Sequence, residues 1–126
     1  MHETPIAARW TDFDALGHLT HSVVFVYLDE ARDAFVRERV GDFDAWPTVV
    51  AHVSADFRRE ISRGPSELRV RTRVSDVGRS SVRFVQELLD ADGEVAVEAE
   101  AVLVAFDPET RASRPIGEEE RAALTR

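Results

Sequence analysis

The chain has 126 residues, 44% of them hydrophobic, with no cysteine, no lysine and a formal net charge of −8 at neutral pH. That length supports a core without metals or disulfides, and the composition argues for one folded soluble domain over disorder. Absent cysteines exclude disulfides, thiolate metal sites and cysteine nucleophiles, absent lysines exclude Schiff-base chemistry, and the acidic balance argues against a nucleic-acid partner.

In chain order, residues from about Thr4 to Trp10 read as a first short strand, and Thr11 to Gly17 as a loop with two aspartates and a glycine. A long helix follows from about Thr20 to Val40. Its apolar positions Val23, Val24, Tyr27, Leu28, Ala31, Ala34 and Phe35 recur at three- and four-residue steps. Asp29, Arg32, Asp33, Arg37 and Glu38 are expected to cover the other side, with Gly41 as the C-terminal stop and residues 41–47 as a connection. Val49, Ala51, Val53, Ala55 and Phe57 alternate with His52, Ser54, Asp56 and Arg58, and Leu68, Val70, Thr72 and Val74 alternate with Arg69, Arg71, Arg73 and Ser75. Period two predicts strands with one buried face. Gly78 marks a turn before a strand from Ser80 to Leu89, Asp92-Gly93 signals a hairpin before one from Glu94 to Phe106, and Gly117 to Leu124 reads as a short helix. Strand, helix and four strands joined by hairpin-length connections predict an antiparallel α+β architecture in a single domain spanning 1–126.

Met1 to Pro5 carry no basic region ahead of an apolar run, and no apolar run approaches the ~20 residues of a membrane helix. No signal peptide and no membrane association are expected, and the cytoplasm is the expected location. Every basic residue is an arginine, so an anionic ligand must be held by guanidinium groups, backbone N–H groups or a helix N-terminus. Four scattered histidines show no metal-ligand spacing, and no G-x-S-x-G, P-loop or dinucleotide fingerprint occurs.

Chemistry concentrates in Arg9-Trp10-Thr11-Asp12-Phe13-Asp14-Ala15-Leu16-Gly17-His18-Leu19, at the entrance to the long helix. A carboxylate there can attack a thioester carbonyl or deprotonate a water that does so. The free N–H groups of the first helical turn can hold the oxyanion. Gly17 allows close backbone approach to a ligand. The plain alternative is a loop whose aspartate caps a turn and whose glycine supplies positive φ.

These residues resemble the hotdog-fold acyl-CoA thioesterases of the 4-hydroxybenzoyl-CoA thioesterase family. That family opens with a strand, then D-x-D-x-x-G-[HI], then its central helix; this chain has Asp12-Phe13-Asp14-Ala15-Leu16-Gly17-His18. Tyr27-Leu28-Asp29-Glu30-Ala31-Arg32 is similar to the family's Y-L-E-E-A-R, and Val53 to Arg59, Leu68 to Val74 and Gly78 to Ser81 follow in matching order. The resemblance spans roughly Ile6 to Pro115. It implies a curved antiparallel sheet wrapped around one long central helix, assembled as a homodimer or homotetramer with active sites between subunits. It implies hydrolysis of an acyl-CoA with no cofactor and no metal. Asp14 falls on the catalytic carboxylate, as nucleophile or general base, with Asp12 in support. The backbone N–H of His21 falls on the oxyanion donor, and His18 orients the loop. Gly17 contacts substrate, and Arg79, Ser80 and Ser81 sit at the turn where family members contact the nucleotide, with Arg58, Arg59 and Arg63 as alternatives.

The acyl-CoA branch commonly has Asn-Asn and a later tyrosine where this chain has Thr20, His21 and Val24. That leaves the acyl group open, and coenzyme A against acyl carrier protein. Thr20 is still a suitable N-cap. Glu30 lies on the helix, where some hotdog enzymes carry their catalytic carboxylate; solvent exposure or a pair with Arg37 fits it too. Rival readings are a hotdog dehydratase and a non-catalytic acyl-CoA-binding or scaffolding protein.

Overall fold

A computed structural model describes residues 1–41, 46–64 and 67–126. Strand β1 (His2–Ala7) leads through a single 3-10 turn (Trp10–Asp12) to helix α1 (His21–Arg39). Strands β2 (Thr48–Phe57), β3 (Glu67–Val77), β4 (Ser81–Leu89) and β5 (Val95–Ala105) follow, then helix α2 (Glu118–Thr125). The strands form one five-stranded antiparallel sheet in the order β1-β3-β4-β5-β2. The expected α+β class is therefore found, with a 19-residue helix packed on the sheet. The first strand ends at Ala7, short of the expected Trp10, because residues 10–12 coil into the 3-10 turn. Part of the expected 41–47 connection lies outside the described residues.

One face of α1 buries Val24, Tyr27, Leu28, Ala31, Phe35 and Val36. Opposite them lie Leu68 and Val70 of β3, Val82, Phe84 and Leu88 of β4, and Val97, Ala101 and Leu103 of β5. Arg32 does not lie on the solvent side as the helical pattern predicts. It is 4% exposed, because four residues after Leu28 it falls on the same face. Its guanidinium donates to Gln86 Oε1 at 2.8 Å and also pairs with Asp29. Gln86 in turn donates to the Leu28 carbonyl and to Thr72 Oγ1. This polar knot divides an apolar cluster near Tyr27 from a second one near Phe35.

β2 departs furthest from its pattern. A bulge between Val50 and His52 leaves Ala51 without a partner, so Val49 pairs with Val104 while Val50 and Val53 pair with Leu103 and Ala101. One extra residue moves Val49 to the face opposite Val53. In this single chain the strand is an edge with little cover, and Val49, Val50, Val53 and Phe57 are 42–53% exposed.

α2 closes the far end. Leu124 is buried in the Phe35 cluster, and Arg121 donates to the carbonyls of Val77 and Gly78. Glu120 accepts two bonds from the Arg114 guanidinium at 2.9 and 2.8 Å and one from the Gly117 N–H. The Arg114 bonds hold its carboxyl down at about 2, against an ordinary 4.5. A depressed carboxylate stabilises the fold above its unfolded pKa and loses that contribution as pH falls through the folded value. Glu120→Gln is therefore expected to cost about 1–2 kcal/mol near neutrality and to flatten the loss of stability between pH 4.5 and 2. Urea melts across that range check it.

Candidate active site

The 8–20 loop is built by two aspartates with different work. Asp12 is buried. Its Oδ2 accepts from the Tyr27 hydroxyl at 2.5 Å and from the Arg9 N–H at 3.0 Å, while the Arg9 guanidinium reaches Oδ1. Burial pushes its carboxyl up, but the bonds from Tyr27 and Arg9 override this and hold it below its ordinary value. The same burial, with Asp12 beside it, pushes the Tyr27 hydroxyl far up. Asp12 thus pins the loop to α1, and its carbonyl takes the Thr20 N–H at the helix entrance.

Asp14 is exposed. Its Oδ1 accepts the N–H groups of Leu16 at 2.9 Å and His18 at 3.0 Å; Oδ2 has no partner among the described residues. The His18 N–H is the main reason its carboxyl sits below the ordinary value, with the Leu16 N–H and the positive charges of His18 and Arg63 helping. Gly17 has φ +78°, and nothing stands within 4 Å of where its Cβ would be. Within the chain the glycine serves the left-handed turn, as the plain reading of the loop requires.

The same turn occurs elsewhere. Asp90 Oδ1 accepts the N–H groups of Asp92 and Glu94, and Gly93 has φ +81°. Both aspartates also exchange backbone bonds with the residues three and four places on. The turn alone therefore signals no chemistry. The two differ in setting: Asp90 faces Arg59 between β4 and β5, whereas Asp14 opens to solvent just ahead of α1.

The loop is seated on residues 61–63. Leu19 N–H donates to the Ile61 carbonyl, Arg63 N–H donates to the Gly17 carbonyl, and His18 bridges Ser62. His18 Nε2 lies 3.1 Å from Glu60 Oε2. Both line a cavity of about 360 Å³ with Leu19, Val24, Phe57 and Ile61, and Arg58 and Arg59 stand at its wall. Glu60 escaped the reading of the sequence, which stopped at Arg59; adjacency to two arginines hid it as an ordinary surface charge. Tyr27, an apolar helix position and the first residue of the helix segment resembling Y-L-E-E-A-R, also holds Asp12 through its hydroxyl.

Thr20 is the N-cap residue of α1 by backbone position, without a side-chain cap bond. His21 opens the helix, and its N–H meets no acceptor among the described residues, as expected for a first-turn donor. Glu30 is exposed and forms no ion pair among the described residues. Arg79, Ser80 and Ser81 are not brought to this site within the chain. Ala7, where the loop starts, pairs with Glu67 at the beginning of β3, and the 79–81 turn follows Val77 at its end. Eleven residues of strand separate them, roughly 35 Å.

A family model described as Thioesterase-like superfamily matches residues 8–124. A Thermus thermophilus thioesterase solved with coenzyme A and zinc is 29% identical, with TM-score 0.87 over 97% of this chain and 95% of that one. A Pseudomonas aeruginosa protein is 26% identical, with TM-score 0.88 over 98% of this chain and 89% of that one. A Synechocystis 1,4-dihydroxy-2-naphthoyl-CoA thioesterase, 15% identical, shares the fold with TM-score 0.84 over 97% of this chain and 93% of that one. No curated protein sequence matches the chain.

Proposed function

The chain belongs to the thioesterase-like superfamily, and from that premise we propose that it hydrolyses an acyl-coenzyme A thioester to the free acid and coenzyme A. The observation that carries this reading is the Asp14 carboxylate. It is fixed through one oxygen, open at the other, kept ionised, and placed directly before a helix N-terminus. Asp14 either attacks the thioester carbonyl, expelling the thiolate and leaving a mixed anhydride that water then cleaves, or takes a proton from an attacking water and passes it to the departing thiolate; the His21 N–H receives the oxyanion. His18, steadied by Glu60, holds the loop beside the cavity. The cavity's walls from Leu19, Val24, Phe57 and Ile61 suit an apolar acyl group. Gly17 lies at the turn that substrate passes. We read α1 as the central helix of a hotdog fold.

The free edge of β2 supports assembly of two copies. Ten residues of strand, paired with β5 on one side and with no strand on the other among the described residues, carry exposed valines and a phenylalanine and form an edge that a monomer would have to protect. Antiparallel pairing of β2 with itself sets the Thr48 end of one copy beside the Phe57 end of the other. The 79–81 turn lies at the Thr48 end, since Ser81 and Val49 both pair with Val104. The second copy's Arg79, Ser80 and Ser81 are thereby carried to the end of the sheet where Asp14 lies, within reach of coenzyme A phosphates. Val53→Asp is expected to reduce the mass found by light scattering to the 14.1 kDa of one chain and to depress hydrolysis with it. An unchanged mass would remove this assembly.

Thiol release from a panel of aromatic and aliphatic acyl-CoAs tests the activity, and a chain without cysteine gives the thiol reagent no protein background. Rapid release establishes the thioesterase. No release from any member, with acyl-CoA still binding, leaves a carrier-protein substrate or a non-catalytic binder.

A further inference from the structure

Arg63 is the side chain at this site with no stability role adequate to its placement. Its guanidinium lies 4.1 Å over the Trp10 ring and 5.8 Å from Phe13. Its Nη2 donates to the carbonyls of Phe13 at 3.4 Å and Asp14 at 3.2 Å. No carboxylate pairs with it among the described residues, although the chain has 24 acidic side chains. Its Nε–H is buried and meets no acceptor among the described residues. A half-buried cation that lacks a counter-ion and leaves a donor unmet is a poor stabilising device.

The alternative is that the guanidinium serves the aspartate. Turn 14–18 projects from the molecule, with Asp14, Ala15 and Leu16 exposed. Ahead of it, Asp12 anchors the chain to Tyr27; behind it, Leu19 is bonded to Ile61. Between those anchors Phe13 is buried in the core and His18 pairs with Glu60, while Arg63 reaches the segment three times, once by its backbone N–H to Gly17 and twice by its guanidinium to the carbonyls of Phe13 and Asp14. We propose that Arg63 is the positioning residue for Asp14: clamped against Trp10, it holds the turn by its carbonyls and keeps the free carboxylate oxygen aimed. This rests on the reading of Asp14 as the reactive carboxylate. The charged groups facing Asp14 are Arg63 and His18, and Glu60 acts on His18 from the far side. Trp10, 73% exposed, acts as the plate against which the guanidinium is held.

The test is Arg63→Ala and Arg63→Lys, each with its backbone N–H to Gly17 intact. Two readouts apply: the Asp14 carboxyl titration followed by carbon NMR, assigned with Asp14→Asn, and hydrolysis of benzoyl-CoA and hexanoyl-CoA. In Arg63→Ala the Asp14 titration is expected to move up, by less than loss of the His18 N–H bond would move it. The acid limb of kcat/KM is expected to move up with it, and kcat to fall about tenfold or more with KM little changed. Arg63→Lys restores the charge without the planar stack and is expected to recover the titration more than kcat. An Asp14 titration unmoved in Arg63→Ala overturns the proposal, as does a loss of rate no greater than the loss of folded protein. Full activity in Asp14→Asn would sink the catalytic reading instead, and a shifted titration would still establish the hold of Arg63 on Asp14.

Discussion

Asp14→Asn is expected to lower thioester hydrolysis by about 10²- to 10⁴-fold while leaving the fold and the turn intact. Asparagine keeps a carbonyl oxygen where Asp14 Oδ1 accepts the Leu16 and His18 N–H groups, so the local bonds survive. What changes is the unbonded oxygen, which becomes an amide nitrogen that neither attacks a carbonyl nor accepts a proton. Asp14→Ala would mix loss of chemistry with loss of the turn. The chain supplies its own control in Asp90, whose turn has the same bonds. Asp90→Asn is expected to leave the rate within about twofold, since it keeps the turn's bonds and gives up only the long pair with Arg59. Equal effects at positions 14 and 90 would mean that the turn, not the carboxylate, matters. Single turnover in ¹⁸O water detects the nucleophilic route: Asp14 acquires the label when water opens the anhydride at its Cγ, whereas a general base never does.

How much of this was legible in the sequence depends on whether a feature is local. α1 was readable because Val24, Tyr27, Leu28, Ala31 and Phe35 recur on one stripe, β3 because apolar residues alternate with charged ones, and β4 because a glycine turn precedes it. The Asp14 loop was readable because its spacing is a short motif. Arg32 was misplaced because charge is a poor guide to burial when a partner such as Gln86 waits 54 residues away. The bulge at Ala51 leaves no compositional mark, yet it reverses which valines share a face. The pairing of His18 with Glu60 and the seating of Arg63 join segments more than 40 residues apart, which periodicity does not register. Arg79 to Ser81 illustrate the other limit: a turn matched by motif lies a full strand from the carboxylate it is meant to serve, and assembly of two chains has to bring them together.

The largest expected loss of stability is at Gln86. It is fully buried at the centre of the sheet, and its amide joins Arg32, the Leu28 carbonyl and Thr72. Gln86→Leu fills nearly the same volume, so little cavity opens. It does strip the buried Arg32 guanidinium of its acceptor on the sheet and leaves the Thr72 hydroxyl without its bond. Arg32 keeps Asp29 as its counter-ion, and a buried charged donor that loses a neutral acceptor costs about 2–3 kcal/mol, still a large part of the stability of a domain this size. Urea unfolding at fixed protein concentration measures it. Arg32→Met in the same background removes the charge as well, and an apolar pair in place of a buried polar one is often close to neutral. The double variant is therefore expected to be more stable than Gln86→Leu alone, a coupling that a double-mutant cycle reads directly. A loss below about 1 kcal/mol in Gln86→Leu would mean that Arg32 finds water or another acceptor, and that the knot is not what sets α1 on the sheet. The knot seats α1 on the sheet, and Tyr27 on that helix holds Asp12, whose carbonyl in turn takes the Thr20 N–H at the end of the loop bearing Asp14.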